Sequence, residues 1–173
     1  AEKAVARIFQ AIDAGEKILV FGDYDVDGIT SSALMMMCLP RLGAKINFCL
    51  PNRKKDGYGL STKFVRQAAQ SGYKLIITVD NGVTAFEPAQ VAKELGIDLI
   101  ITDHHRPHDH LPEAYAIVNP NQADCKYPNK FLAGVGVTFK LLAFIYELKK
   151  LELPPKAYEL LMLGTIADVV PLL

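Results

Sequence analysis

The sequence predicts an α/β fold: a doubly wound, mainly parallel five-stranded sheet with helices on both faces. Three observations predict it. Short β-branched runs recur, apolar almost throughout, as strands buried on both faces must be. Longer stretches of helical period separate them, the alternation of a parallel sheet covered by helices. Four of those stretches are followed by a glycine (Gly15, Gly43, Gly72 and Gly96), the residue that ends a helix without steric strain.

In chain order, residues 2–14 mix charge with apolar residues at helical spacing and read as an opening helix. KILVFGD (17–23) is the first strand, and the apolar stretch 29–42 is the second helix. INFCLP (46–51), LIITVD (75–80), DLIITD (98–103) and YAIVNP (115–120) are the remaining strands. Helices are expected over 61–71 and 84–95 between them, and over 133–150 and 155–166 after them. There is no repeat, linker or low-complexity segment. The 173 residues, half of them hydrophobic, suit one compact domain that buries roughly two-thirds of its unfolded surface.

Lys plus Arg equals Asp plus Glu at 19 each, so net charge selects no partner, and nucleic-acid binding would need a local basic patch. Three widely spaced cysteines (Cys38, Cys49, Cys125) without a C-x-x-C pair fit a reduced, cytoplasmic protein. The N-terminal residues are wrong for a signal peptide, and the longest apolar stretch, 33–40, is too short to span a bilayer. The chain begins without Met and stops after VVPLL, so it reads as part of something longer.

Three strands end in acids: Asp23, Asp80 and Asp103. Ligands of an open α/β sheet bind beyond the carboxyl ends of its strands, so these acids share one crevice. Their repulsion asks for a counter-charge, and a divalent cation is the candidate.

Four motifs carry that chemistry. In FGDYDVDGITS (21–31), Asp23, Asp25 and Asp27 alternate between a buried strand and an apolar helix. Single strand-end aspartates are mostly turn or cap residues, but three within five residues point to a hard cation such as Mg²⁺ or Mn²⁺. In VDNGV (79–83), Asn81-Gly82 makes a tight turn after Asp80, an acid placed to bridge two metals. In TDHHRP (102–107), His104 and His105 point opposite ways in an extended segment. One imidazole can then bind metal while the other faces substrate or a supporting partner. His108 and His110 read as surface residues. In GTIADVVP (164–171), Asp168 interrupts an apolar segment, and a metal ligand is preferred over a cap or salt bridge. The substrate side is fainter. Arg53, Lys54, Lys55 and Tyr58 join cations and an aromatic in one loop, which fits a single strand or a plain solvated loop equally. Gly134 and Gly136 at a helix start fit either a phosphate-binding N-terminus or close helix packing.

DYDVDGITS, VDNG, TDHH and IADVVP stand in the order and spacing of the DHH phosphoesterases, and the chain resembles that family over nearly its whole length. PNRKKDGYGL, AIVNPNQADCKYP and LAGVGVTFKLL resemble its branch of single-strand-specific 5′→3′ DNA exonucleases. The resemblance implies a catalytic core over 1–173 with two Mn²⁺ or Mg²⁺ ions, lacking the second domain that closes over the groove. Asp25 and Asp27 are implied as first-motif ligands, Asp80 as the bridge, and His104 and Asp168 as completing one site. His105 would stand near the scissile phosphate, Asp103 would orient a histidine, and Asp23 would bind directly or through water. One departure stands out: many family members have His four residues before the aspartate matching Asp25, where this chain has Phe21. The implied partner is single-stranded DNA, with a single-stranded-DNA-binding protein and a helicase alongside, and no membrane. Alternatives are a phosphodiesterase of short oligonucleotides or cyclic dinucleotides, a catalytically silent replication scaffold, and a receiver-type signalling domain. The last has no use for His104-His105.

Overall fold

A computed structural model of the chain describes residues 1–52, 54, 55 and 57–172. Five strands, β1 (Lys17–Phe21), β2 (Lys45–Cys49), β3 (Tyr73–Val79), β4 (Asp98–Thr102) and β5 (Ala116–Val118), form one sheet in the order β2-β1-β3-β4-β5. Every ladder in it is parallel. Strand order reverses direction between β1 and β3, which makes their carboxyl ends the switch point of the sheet.

The pleat divides each central strand between two cores. Ile18, Val20, Leu75, Ile77, Val79 and Ile100 face α1 (Glu2–Asp13), α2 (Val26–Cys38) and α5 (Gly134–Leu148). Leu19, Phe21, Ile76, Leu99 and Ile101 face α3 (Thr62–Gln70) and α4 (Phe86–Glu94). The last helix, α6 (Pro155–Ala167), lies against α2 and α5. It crosses them at Gly164, where a Cβ would sit 2.4 Å from Thr30 Oγ1 and 2.7 Å from Val135 Cγ1. Arg7 of α1 is anchored beneath the sheet by Asp98 at 2.6 Å and Glu16 at 2.7 Å. Among the described residues no helix is long and apolar enough to cross a membrane.

One boundary differs from expectation in a way that matters. α2 begins at Val26, not near residue 29, because the Asp25 carboxylate caps it by accepting the Gly28 N–H at 2.8 Å. Asp27 is therefore a first-turn residue of a helix rather than part of a loop.

Ile77 is fully buried in the middle of β3. Ile77→Ala is expected to cost about 2–5 kcal/mol, read as a lower urea midpoint with an unchanged slope.

Candidate metal centre

The chain must reverse sharply after β1 for three aspartates to gather, and two glycines permit it. A Cβ on Gly28 would stand 2.6–2.7 Å from the backbone of Asp23, and one on Gly22 would strike Ser32 and Leu50. Asp23 is buried and accepts the Tyr24 N–H at 2.8 Å, while Asp25 stays exposed at the cap. Asp27 is buried, and its two oxygens accept the N–H groups of Gly134 at 2.6 Å and Val135 at 2.7 Å. The positive end of α5 is thus spent on a carboxylate of the protein itself.

That pairing gives Gly134 a use other than the phosphate offered to it above. Its N–H is taken by Asp27, and a Cβ there would lie 2.5 Å from Asp80 Oδ1. Gly134 lets α5 close on two aspartates at once. Gly136 is buried, with a Cβ position 3.3 Å from Leu132, so it serves packing.

Asp80 leaves β3 in the left-handed conformation, φ 61°, which a non-glycine residue adopts only where its surroundings hold it. It is 2 % exposed, and its Oδ1 has no hydrogen-bond partner among the described residues. His104 Nε2 is also buried without one. It lies 3.3 Å from Asp80 Oδ1, 3.7 Å from Asp168 Oδ2 and 3.9 Å from Asp27 Oδ2. These gaps are long for hydrogen bonds. They suit atoms sharing a cation, since neighbouring ligands of an octahedral ion with bonds of about 2.1 Å sit about 3 Å apart. Asp168 caps the C-terminus of α6, where the helix dipole disfavours an anion, so a positive partner there would relieve it twice over.

Among the described residues, donor atoms fall into three groups, each within 4.8 Å: Asp23 with Asp25 and Asp80; Asp27 with His104 and Asp168; and Asp80 with His104 and His105. Asp80 belongs to two of them. All six residues expected to hold metal therefore converge, with Asp80 between two clusters. Burial, then the charges of Asp27 and Asp25, push the Asp80 carboxyl up to about 10. Burial likewise raises Asp27, against the opposing effect of its two backbone N–H bonds. An oxygen-rich donor set with one buried unpartnered oxygen and one buried unpartnered imidazole nitrogen fits a hard divalent cation.

His105 is arranged differently. Its Nδ1 lies 2.7 Å from Asp103 Oδ1, and half of its side chain is exposed. Asp103 is buried and also accepts the N–H groups of His104, His105 and Val83 at 2.8, 3.1 and 2.9 Å. Burial works to raise the Asp103 carboxyl, but the His105 bond and these N–H groups outweigh it and lower it. The same bond to Asp103 raises His105. Tyr58 stands over the site, its ring edge-on to His105 at 6.1 Å and its hydroxyl 3.4 Å from the Asp80 carbonyl. Arg53 lies outside the described residues. Phe21, where the wider family often has His, packs its ring on Phe64 at 5.0 Å and brings no donor to the centre.

Two supporting residues escaped the sequence reading. Asn119 donates to the His105 carbonyl at 2.9 Å, and Asn121 to that of His104, so the segment after β5 fixes the histidine pair. Their signal was an N-P-N run at the carboxyl end of a strand whose neighbour ends in Asp103. His108 and His110, read as surface residues, are exposed and lean on Phe86.

The sequence signature of the DHH family's N-terminal domain matches residues 17–165. The chain belongs to the DHH family. It is 50 % identical over 171 residues to the single-stranded-DNA-specific exonuclease RecJ of Bacillus subtilis (strain 168), covering 99 % of this chain and 21 % of that protein. It is 45 % identical over 183 residues to RecJ of Escherichia coli (strain K12), covering 99 % and 32 %. A crystal structure of exonuclease RecJ bound to manganese superposes with a TM-score of 0.90 at 35 % identity, over 98 % of this chain and 43 % of that one. The chain thus spans between a fifth and a third of the length of these curated DHH relatives.

Two outcomes follow from the centre. Gly134→Ala forces a methyl group against Asp80 and is expected to weaken Mn²⁺ binding about 10–100-fold by calorimetric titration, with a much smaller loss for Gly136→Ala. The second concerns pH. Metal-free and folded, Asp80 holds a proton up to about pH 10, whereas unfolded it loses that proton near its usual value of about 3.9. The folded state then binds more protons, so stability falls as pH rises through that window. His105, also raised, acts in the same direction in its own range, and Asp103, lowered, matters only in acid. Thermal midpoints in chelator should therefore drop between about pH 5 and about pH 9, less steeply in Asp80→Asn, and saturating Mn²⁺ should reverse the drop.

Proposed function

We propose that this chain carries the metal-dependent hydrolytic centre of an exonuclease specific for single-stranded DNA. The enzyme works 5′→3′, releases 5′-mononucleotides and serves DNA repair and recombination. The observation that carries this reading is Asp80: a buried carboxylate shared by two donor clusters, with one oxygen that has no hydrogen-bond partner among the described residues. The relatives' names supply the substrate class, single-stranded DNA.

In this reading Asp23, Asp25 and Asp80 hold one divalent ion, Mn²⁺ or Mg²⁺, and Asp80, His104, Asp27 and Asp168 hold the other. The pair, when bound, supplies charge stabilisation at the phosphodiester and a nucleophilic water at neutral pH. The protein's own residues do the rest. Asp103 fixes the His105 ring through Nδ1, so Nε2 is the atom offered to the scissile phosphate or the departing oxygen. The Tyr58 ring beside it gives a base a surface to stack on, and Arg53 with Lys54 and Lys55 supplies cations for the backbone. Residues 1–173 act as the catalytic core, and a further groove-closing domain provides grip and end polarity, as do contacts with a single-stranded-DNA-binding protein and a helicase in the cytoplasm.

The test is Mn²⁺-dependent digestion of long single strands labelled at the 5′ or the 3′ end, with dinucleotides as competitors. The protein used should have the relatives' full length and carry this sequence. Label is expected to leave from the 5′ end first, and Asp80→Ala is expected to abolish hydrolysis while the fold, read by circular dichroism, persists. Activity surviving in that variant, or confined to dinucleotides, would sink the proposal.

A further inference from the structure

Asp23 and Asp25 reach the centre from β1, and Asp80 from β3. Ladder pairing between those strands ends at Phe21 with Thr78, before any of the three carboxylates. Something else must hold the two strand ends at the spacing that brings the donor atoms within 4.8 Å of one another.

Asn81 is placed to do it. The residue is wholly buried, and its Nδ2 donates to the Val79 carbonyl at 2.9 Å and the Phe21 carbonyl at 3.2 Å. Both neighbours are acceptors, which fixes the orientation of the carboxamide. The bond to Val79 reaches back across Asp80 and closes a small ring around its left-handed backbone. The bond to Phe21 grips β1 two residues before Asp23. One side chain therefore fixes the conformation of Asp80 and ties it to the strand that delivers the other acids.

The same side chain is a poor choice for stability alone. Its Oδ1 is buried with no hydrogen-bond partner among the described residues, a cost that a residue selected only for packing would avoid. Uncompensated polar atoms of this kind are kept where geometry matters more than stability.

We propose that Asn81 is a positioning residue of the metal centre: its carboxamide sets the distance between Asp80 and the Asp23–Asp25 pair, and so controls whether a second divalent cation binds beside the first. This rests on the two-ion reading above.

The test is a Mn²⁺ titration of the 173-residue chain followed by electron paramagnetic resonance, with urea unfolding of the metal-free chain in parallel. The parent chain should bind two ions and show the broadened spectrum of a coupled pair. Asn81→Ala should keep the first ion within about twofold, weaken the second about 10–100-fold and lose the pair spectrum. Asn81→Ser, whose hydroxyl can reach one carbonyl, should fall between, and it carries the test if Asn81→Ala does not fold. Two ions bound with parental affinity by the folded variant would overturn the inference alone. Equal weakening of both ions in step with lost stability would overturn it too, since a purely structural residue behaves that way. Fewer than two ions on the parent would overturn the two-ion reading, and this inference with it.

Discussion

Three carboxylates, those of Asp27, Asp80 and Asp168, crowd around one imidazole at the edge of a buried sheet, with Asp23 and Asp25 gathered on the far side of Asp80, and every other feature of the site answers to their repulsion. Water cannot screen charges placed where Asp27 and Asp80 are each 2 % exposed. A protein has two ways out: leave protons on the acids, or bring a cation. The raised Asp80 and Asp27 are the first solution, adopted without metal. The donor set is the second, and it releases those protons. Binding of metal and ionisation of the centre are therefore one event.

The fold is what makes such crowding possible. Carboxyl ends of β1 and β3 diverge at the switch point, leaving a gap that neither helix layer fills. Donors enter that gap from the ends of β1 and β3, from the first turn of α2 through Asp27, from the segment after β4 through His104, and from the C-cap of α6 through Asp168. Small residues let them meet. Gly28, Gly134 and Gly164 each stand where a methyl group would collide with something the site needs: the Asp23 backbone, the Asp80 carboxylate, or Thr30 on the helix that carries Asp27. Asp27 has a double task, since the two N–H groups it accepts also anchor α5 on the rest of the centre.

Much of this was legible in the sequence, for identifiable reasons. Strands buried on both faces give continuous apolar runs, so the central strands and the helices between them announce themselves. One carboxylate at a strand end is commonly a turn or cap residue, but acids at three strand ends of one sheet edge share a crevice, which is why Asp23, Asp80 and Asp103 stood out, and Asp168 did so by interrupting an apolar segment. Local cooperation between residues far apart in the chain left no such trace. The cap by Asp25 moved the start of α2, because one side-chain bond to Gly28 outweighs the apolar pattern that suggested a later start. The use of the α5 N-terminus by Asp27 joins positions 107 residues apart, and no periodicity encodes it. Asn81, Asn119 and Asn121 were invisible because a buried amide and a turn amide look alike until their partners are known.

The two histidines show most clearly how backbone geometry becomes chemistry. Adjacent residues after a strand diverge, so a His-His pair can serve two masters only if each ring is held by different neighbours. His104 turns inward, 15 % exposed, with a nitrogen among three carboxylates. His105 turns outward and is held through Nδ1 by an Asp103 that spends its remaining capacity on backbone N–H groups. Asp103 is therefore the residue that holds the turn orienting both rings. Three consecutive residues thus divide into a brace, an inward ring among carboxylates and a group facing solvent. The division follows from hydrogen bonding: Asp103 Oδ1 accepts both histidine N–H groups and meets His105 Nδ1, Oδ2 accepts the Val83 N–H, and the turn they fix sends the two rings opposite ways.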